Sequence, residues 1–269
     1  MTVRVPSIIL PRGGAAAFRY AVSDALTLAW RNVLTIRRVP QLLVLATIQP
    51  LLFVLMFRYV FGGAIDVPGT DYVNYLMPGI FAQTVAFGAI STGIGLAVDK
   101  DTGLIERLRS LPMARSAVLA GRTLADLARN VFVVALMVAV GFAVGFRIET
   151  NAGRLLIGLF LLLLFGFAMS WVFALIGLSV ANAESAQTAA FPLMFPLVFA
   201  SSAFVSTDTM PGWLAAFAEH QPVTAAVDAM RTLVLGGSAT GPVLESLAWS
   251  LGILLVFVPL AVRRYRKAA

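Results

Sequence analysis

Few residues in this 269-residue chain can do ionic or acid–base chemistry, because only 12% of them are charged. Arg122, Asp126 and Arg129 stand at i, i+4 and i+7, so one helix face carries all three and Asp126 can pair with either arginine. That spacing makes a charge-compensated ladder, either structural or coupling its helix to a cytoplasmic partner, and not a catalytic dyad. His220 is the single histidine and cysteine is absent, which removes thiolate chemistry, disulfides and Cys/His metal centres together. Neither Lys100 nor Lys267 follows a glycine, so no loop of the G-x-x-x-x-G-K-[ST] type cradles nucleotide phosphates. No G-x-S-x-G elbow or H-E-x-x-H pair occurs either. The chain is therefore expected not to be an enzyme, and to contain no cofactor or metal.

Two further segments combine polar and apolar residues in a way that suits interaction. In Asp101-Thr102-Gly103-Leu104-Ile105-Glu106-Arg107-Leu108-Arg109-Ser110-Leu111-Pro112, Leu104, Ile105, Leu108 and Leu111 recur at helical spacing while Glu106, Arg107 and Arg109 take the other face. Asp101 or Thr102 can cap this helix and Pro112 ends it. Such a helix lies on lipid or inserts into a groove of a partner protein, and the pattern fits both. Between residues 205 and 242, Pro211-Gly212-Trp213 opens one short apolar helix and Pro222 a second, with His220-Gln221 at the break. Both are too short to cross a bilayer and suggest a re-entrant pair, in which Asp228 and Arg231 pair at i, i+3 and His220 is a polar loop residue.

The elements that must position these residues are membrane helices. The chain is 59% hydrophobic with a mean hydropathy of +0.90, far from the balance of soluble domains. Six uncharged stretches are long enough to span, at 39–57, 72–98, 130–146, 155–183, 185–207 and 246–262, while 232–244 reads as a loop. Fifteen basic residues fall before the first stretch, between the second and third, and after the sixth, against three on the other face. By the positive-inside rule both termini are cytoplasmic, and the net charge of +7 is an inner-face anchor and docking surface rather than a nucleic-acid footprint. Residues 18–38 form an interfacial amphipathic helix with Phe18, Val22, Leu26, Ala29, Val33 and Ile36 on its apolar arc. The division is then a cytoplasmic N-terminus over 1–38, a six-span domain over 39–262 and a basic tail over 263–269. Among the polar residues of the spans, Gln49, Gln83 and Thr84 are candidates for a pathway and equally for helix packing. Pro50, Pro192 and Pro196 kink spans one and five.

The run from Thr102 to Pro112, its continuation Val118-Leu119-Ala120-Gly121-Arg122-Thr123-Leu124-Ala125-Asp126, and the pieces Met210-Pro211-Gly212-Trp213, Glu219-His220-Gln221-Pro222-Val223-Thr224 and Asp228-Ala229-Met230-Arg231 up to Gly236-Gly237 resemble the ABC-2 type permeases. The similarity is greatest to the daunorubicin/doxorubicin-resistance branch of bacterial exporters. It implies an all-α membrane protein that pairs with a second permease copy or a paralogue and binds two ATP-binding subunits, which hold the ATP and Mg. Residues 101–112 would be the coupling helix, 18–38 part of the ATPase dock, and 205–236 a re-entrant hairpin capping the outer end of a pathway lined by spans one, two and five. Lys100-Asp101 departs from the basic-Glu pair such proteins often carry, with the charge order kept.

A charge-poor lumen suits an apolar or amphipathic small-molecule cargo, a drug or a lipid. The expected function is the permease of an ATP-driven exporter in the bacterial inner membrane. The rivals are a permease for a lipid-linked glycan or polysaccharide, whose pore would be lined with aromatic residues, and an ion-driven secondary transporter.

Overall fold

The computed structural model describes residues 23–32, 34, 41–63, 67, 69–109 and 115–267. Every regular element among them is helical. We label them α1 (23–32), α2 (Gln41–Leu55) running on into a π-helical segment (Met56–Phe61), α3 (Tyr72–Asp101), α4 (Leu104–Arg109), α5 (Arg115–Ala143), α6 (Ala152–Ser179), α7 (Ala183–Phe199), α8 (Gly212–Glu219), α9 (Pro222–Leu235) and α10 (Thr240–Lys267).

Four of these helices, α3, α5 from Ala117, α6 and α10, are long and apolar enough to cross a membrane. The stretch read as span one is helical from Gln41 to Phe61, as α2 and its π-helical continuation, whereas the stretch read as span five is a shorter helix, Ala183–Phe199. Helix α7 stops well before residue 207 because its last carbonyls are claimed from outside: Gln221 Nε2 donates to Leu197 O at 2.7 Å and to Ala200 O at 2.9 Å, satisfying groups that a helix end leaves open. Helix α5 starts far upstream of residue 130, so the Arg122–Arg129 ladder lies inside one continuous helix. It ends at Ala143, where Phe146 N donates to Gly141 O (2.9 Å), Gly145 N reaches Phe142 O (3.4 Å) and Gly145 takes a φ of +104°, the glycine-terminated turn that an L side chain resists. The stretch 232–244 is mostly helical, with only residues 236–239 between α9 and α10.

Helix α3 is the centre of the bundle, surrounded by α5, α6, α7 and α9 and buried along most of its length. Helices α3 and α6 run in the same direction, since Lys100 Nζ at the end of α3 donates to Val180 O at the end of α6 (2.9 Å). They touch backbone to backbone: a Cβ at Gly177 would fall on the Gly93 carbonyl, and one at Gly93 would come within 2.6 Å of Phe173 O. Small residues permit this approach where lipid supplies no hydrophobic drive to pack helices. Gly177→Ala is accordingly expected to cost about 1–2 kcal/mol by overpacking, read as a lowered thermal midpoint in detergent; an unchanged midpoint would show the contact to be slack.

Candidate functional site

At one end of the bundle, the chain turns from α3 into α4 through Thr102 and Gly103. Thr102 N donates to Val98 O at 2.9 Å, and Gly103 sits at φ +69°. The apolar face of α4 does not wait for lipid or for a partner. Ile105 and Leu108 are buried in the chain's own second core, with Leu28, Leu96, Leu119, Trp171, Leu178 and Tyr265, and Leu104 packs at its edge. What faces outward is polar: Asp101 and Thr102 at the turn and Glu106 and Arg107 on α4 are exposed. Arg109 belongs to the helix, whereas Leu111 and Pro112 lie outside the described residues.

The neighbouring α1 covers part of the predicted interfacial helix, of which residues 18–22, 33 and 35–38 lie outside the described residues. Ala25, Leu28 and Ala29 are buried, whereas Leu26 and Trp30 are exposed. The expected apolar arc is thus divided among the described residues: Ala29 meets the protein and Leu26 does not. A Cβ at Gly121 would sit 2.6 Å from the Leu28 Cβ, so the absence of a side chain there lets α1 lie on α5. Leu26 and Trp30 are left for another apolar phase, as interfacial anchors are.

The ladder joins two helices rather than one. Arg122 Nε and Arg129 Nη1 each lie 3.6 Å from an Asp126 oxygen, and Arg122 Nη1 lies 3.5 Å from Asp99 on α3. Thr92 Oγ1 donates to Asp126 at 2.7 Å, and Arg129 Nη2 donates to Gly88 O at 2.6 Å. A Cβ at Gly95 would fall on the Arg122 guanidinium, so that glycine seats the arginine against α3. Two carboxylates alternate with two guanidiniums from Asp99, beside the α3–α4 turn, to Arg129 in mid-helix. Sequence reasoning placed the three α5 members on one face; it missed Asp99, Thr92 and Gly95, whose signal was a hydroxyl and a missing side chain on the facing α3.

Arg129 also borders a cavity of about 230 Å³, walled by Gln49 and Pro50 of α2, Gln83, Thr84 and Phe87 of α3, Asn130 of α5, and Gln187 and Phe191 of α7. The three polar residues singled out from the apolar stretches, Gln49, Gln83 and Thr84, meet here. Pro192 and Pro196 do not line it, although both lie inside α7. From the cavity a row of rings follows α7 and α2: Phe195 stacks on Phe199 (4.2 Å between centroids), Phe199 meets Phe53 and Phe204 (5.9 and 5.4 Å), and Phe204 stacks on Phe57 (4.6 Å). All five rings of the row are phenylalanines. The nearby Tyr72 and Tyr75 spend their hydroxyls on Phe204 O and Ser202 O, each at 3.2 Å.

At the opposite end, α9 is buried along one side against α3, α6 and α10, while α8 lies exposed, with Trp213 at 77%. Pro211 precedes α8, whose first residue is Gly212, and Pro222 occupies the first turn of α9, where a missing N–H costs nothing. His220 is exposed, with Nδ1 3.1 Å from Ala216 O. Arg231 holds this end together. Its Nη1 meets Asp228 at 2.7 Å, its Nη2 donates to Ser202 O at 2.7 Å, and its guanidinium carbon stands 3.8 Å from the Tyr75 ring centroid. Ser202 Oγ donates to the same Asp228 oxygen at 2.7 Å. Sequence spacing finds the Asp228–Arg231 pair; Tyr75, Ser202 and Gln221 enter through tertiary contacts that no local pattern marks.

A long-helix membrane bundle with an exposed polar turn at one end and a helical hairpin at the other is the setting for comparison with known proteins. Residues 24–235 match the model of the ABC-2 type transporter family. The chain belongs to that family. This ABC-2 chain is 35% identical to the daunorubicin resistance ABC transporter permease protein DrrB1 of Streptomyces coeruleorubidus over 96% of its own length and 91% of the relative's. It is 29% identical to the probable doxorubicin resistance ABC transporter permease protein DrrC of Mycobacterium tuberculosis, over 83% and 81%. A putative transport permease, ycf38 of Cyanophora paradoxa, matches at 24% over 80% and 75%. The daunorubicin/doxorubicin-resistance permeases are thus its branch of the family, and the ABC-2 assignment makes it a multi-pass membrane permease whose partner is an ATP-binding subunit.

Proposed function

We propose that the chain is the membrane subunit of an ATP-driven exporter for hydrophobic or amphipathic small molecules, working in a bacterial inner membrane with both termini in the cytoplasm. In this reading two copies, or one copy and a paralogue, form the permease. Two separate ATP-binding subunits hold the ATP and Mg and do the hydrolysis. Helices α2 and α7 complete a six-span topology with the four long helices, and α8–α9 is a re-entrant hairpin over the outer end of the pathway. The resistance functions in the names of DrrB1 and DrrC support a drug-like cargo.

The observation that carries the reading is the orientation of α4. Its apolar side chains are spent inside the protein while Asp101, Thr102, Glu106 and Arg107 face out. A push on the α4 surface would be passed through a packed core to α3, α5, α6 and α10 rather than absorbed by a loose loop. Affinity purification of the tagged chain is expected to recover an ATPase subunit. The double reversal Glu106→Arg with Arg107→Glu is expected to lower its recovery about tenfold, since reversed charges at an interface repel as well as fail to pair. Full recovery through the reversal, or purification with no ATPase, would refute the reading.

A further inference from the structure

The polar groups around the cavity are not equivalent. Thr84 Oγ1 donates to Ile80 O and Ser91 Oγ to Gly88 O, each at 2.7 Å. Arg129 is taken up by Gly88 O and by Asp126, and Asn130 Oδ1 accepts from Arg129 at 3.3 Å. Gln83 differs. The residue is 2% exposed, and neither its Nε2 nor its Oε1 has a hydrogen-bond partner among the described residues. A buried carboxamide with both ends unpaired is unfavourable where a leucine would be cheap. The rest of the wall is largely apolar, with Pro50, Phe87, Ile90, Ile94, Val133 and Phe191, and its two other glutamines, Gln49 and Gln187, are exposed rather than buried.

Charge decides what could meet that amide. The ladder bordering the cavity joins Asp99 and Asp126 to Arg122 and Arg129, so its formal charges cancel. An anion arriving at Arg129 would compete with Asp126, and a cation would have no free carboxylate on the cavity wall. An uncharged group with one donor and one acceptor can satisfy both ends of the carboxamide together.

Resting on the exporter reading above, we propose that Gln83 is the specificity-determining residue of this cavity. It selects amphipathic cargo carrying an uncharged hydroxyl or primary amide on an apolar body, over ethers, hydrocarbons and permanent cations of the same shape. The decisive readout is preference between matched solutes and not binding as such.

The full-length chain in lipid nanodiscs is titrated with 1-pyrenebutanol, its methyl ether and 1-pyrenebutyl-trimethylammonium, following tryptophan-to-pyrene energy transfer against empty nanodiscs. The alcohol is expected to bind about five- to tenfold more tightly than the ether, the worth of one additional hydrogen bond in a buried site, and the cation more weakly than the alcohol. In Gln83→Leu, or in the near-isosteric Gln83→Met should the leucine variant not fold, the alcohol-to-ether ratio is expected to fall below about twofold while ether binding persists. Saturable but equal binding of alcohol and ether to the unmodified chain overturns this inference and leaves the exporter reading standing. A ratio that survives both substitutions does the same. Failure of all three probes to bind the unmodified chain overturns the inference and the small-molecule cargo reading together.

Discussion

Asp126→Leu is expected to destabilise the protein by about 3–5 kcal/mol, the usual consequence of removing one partner from a buried ionic group. The carboxylate is 6% exposed and is shared by Arg122, Arg129 and Thr92, so its loss strands Arg129, whose side chain is 12% exposed, in the middle of a helix that crosses the bundle. The thermal midpoint should fall by roughly 10 °C, with less monodisperse material in detergent. Asp126→Asn keeps an acceptor for the Thr92 hydroxyl but not the charge, and should lie between. The double change Asp126→Leu with Arg129→Leu should recover most of the loss, because it removes the stranded cation along with its partner. A single Asp126→Leu variant within about 1 kcal/mol of the parent would mean that water or another group already compensates the arginines.

The position of the ladder gives that experiment functional weight. Asp99 lies three residues before Thr102, where the exposed surface of α4 begins, and Arg129 borders the cavity. Between them the ladder ties α3 to α5 at several points, and Gly95 lets the Arg122 guanidinium rest on α3 without a side chain intervening. A displacement of α4 would therefore reach the cavity wall through two helices that cannot slide independently without breaking the Arg122–Asp99 ion pair and the Thr92–Asp126 and Arg129–Gly88 hydrogen bonds. Coupling of this kind needs an element with two packed states whose balance both ends can bias, and α3 with α5 is the element that touches both.

Much of this architecture was legible in the sequence because lipid imposes simple rules. Uncharged length marks α3, α5, α6 and α10, and the i, i+4, i+7 spacing marks the α5 face of the ladder. Where the reading departs from the structure, the competing cause is tertiary. Helix α7 ends at Phe199 because Gln221, more than twenty residues downstream, takes its carbonyls, and hydropathy cannot see a cap supplied from another element. The stripe on α4 was visible as amphipathic, but periodicity does not say whose core an apolar face enters; here it enters the chain's own. On α1, Leu26 points away from the bundle because Gly121 of α5 admits the Leu28 side, a choice made by the partner helix. Gln83 reads in sequence as a polar interruption, and only the structure leaves its amide unpaired beside a cavity.

Arg231→Lys is expected to be nearly as damaging as Arg231→Leu, about 2–4 kcal/mol for the leucine variant, although lysine keeps the charge. The guanidinium uses its fork: one nitrogen meets Asp228, the other meets the Ser202 carbonyl, and its plane rests on Tyr75. An ammonium is a compact point charge that cannot hold a carboxylate and a carbonyl with parallel donors while stacking on a ring. Tyr75→Phe separates these contributions. It removes only the hydroxyl's bond to Ser202 O and leaves the aromatic face, so a loss of about 1 kcal/mol is expected. Arg231 fastens α9 to the residues following α7 and to the first turn of α3, and its weakening should free the hairpin while leaving the distant α4 surface intact. In the assembled complex, ATP turnover should persist in Arg231→Lys while cargo moved per ATP drops, measured as the ratio of the two rates in proteoliposomes. A lysine variant with the parent's ratio would show that the hairpin is held elsewhere and that Arg231 contributes charge alone.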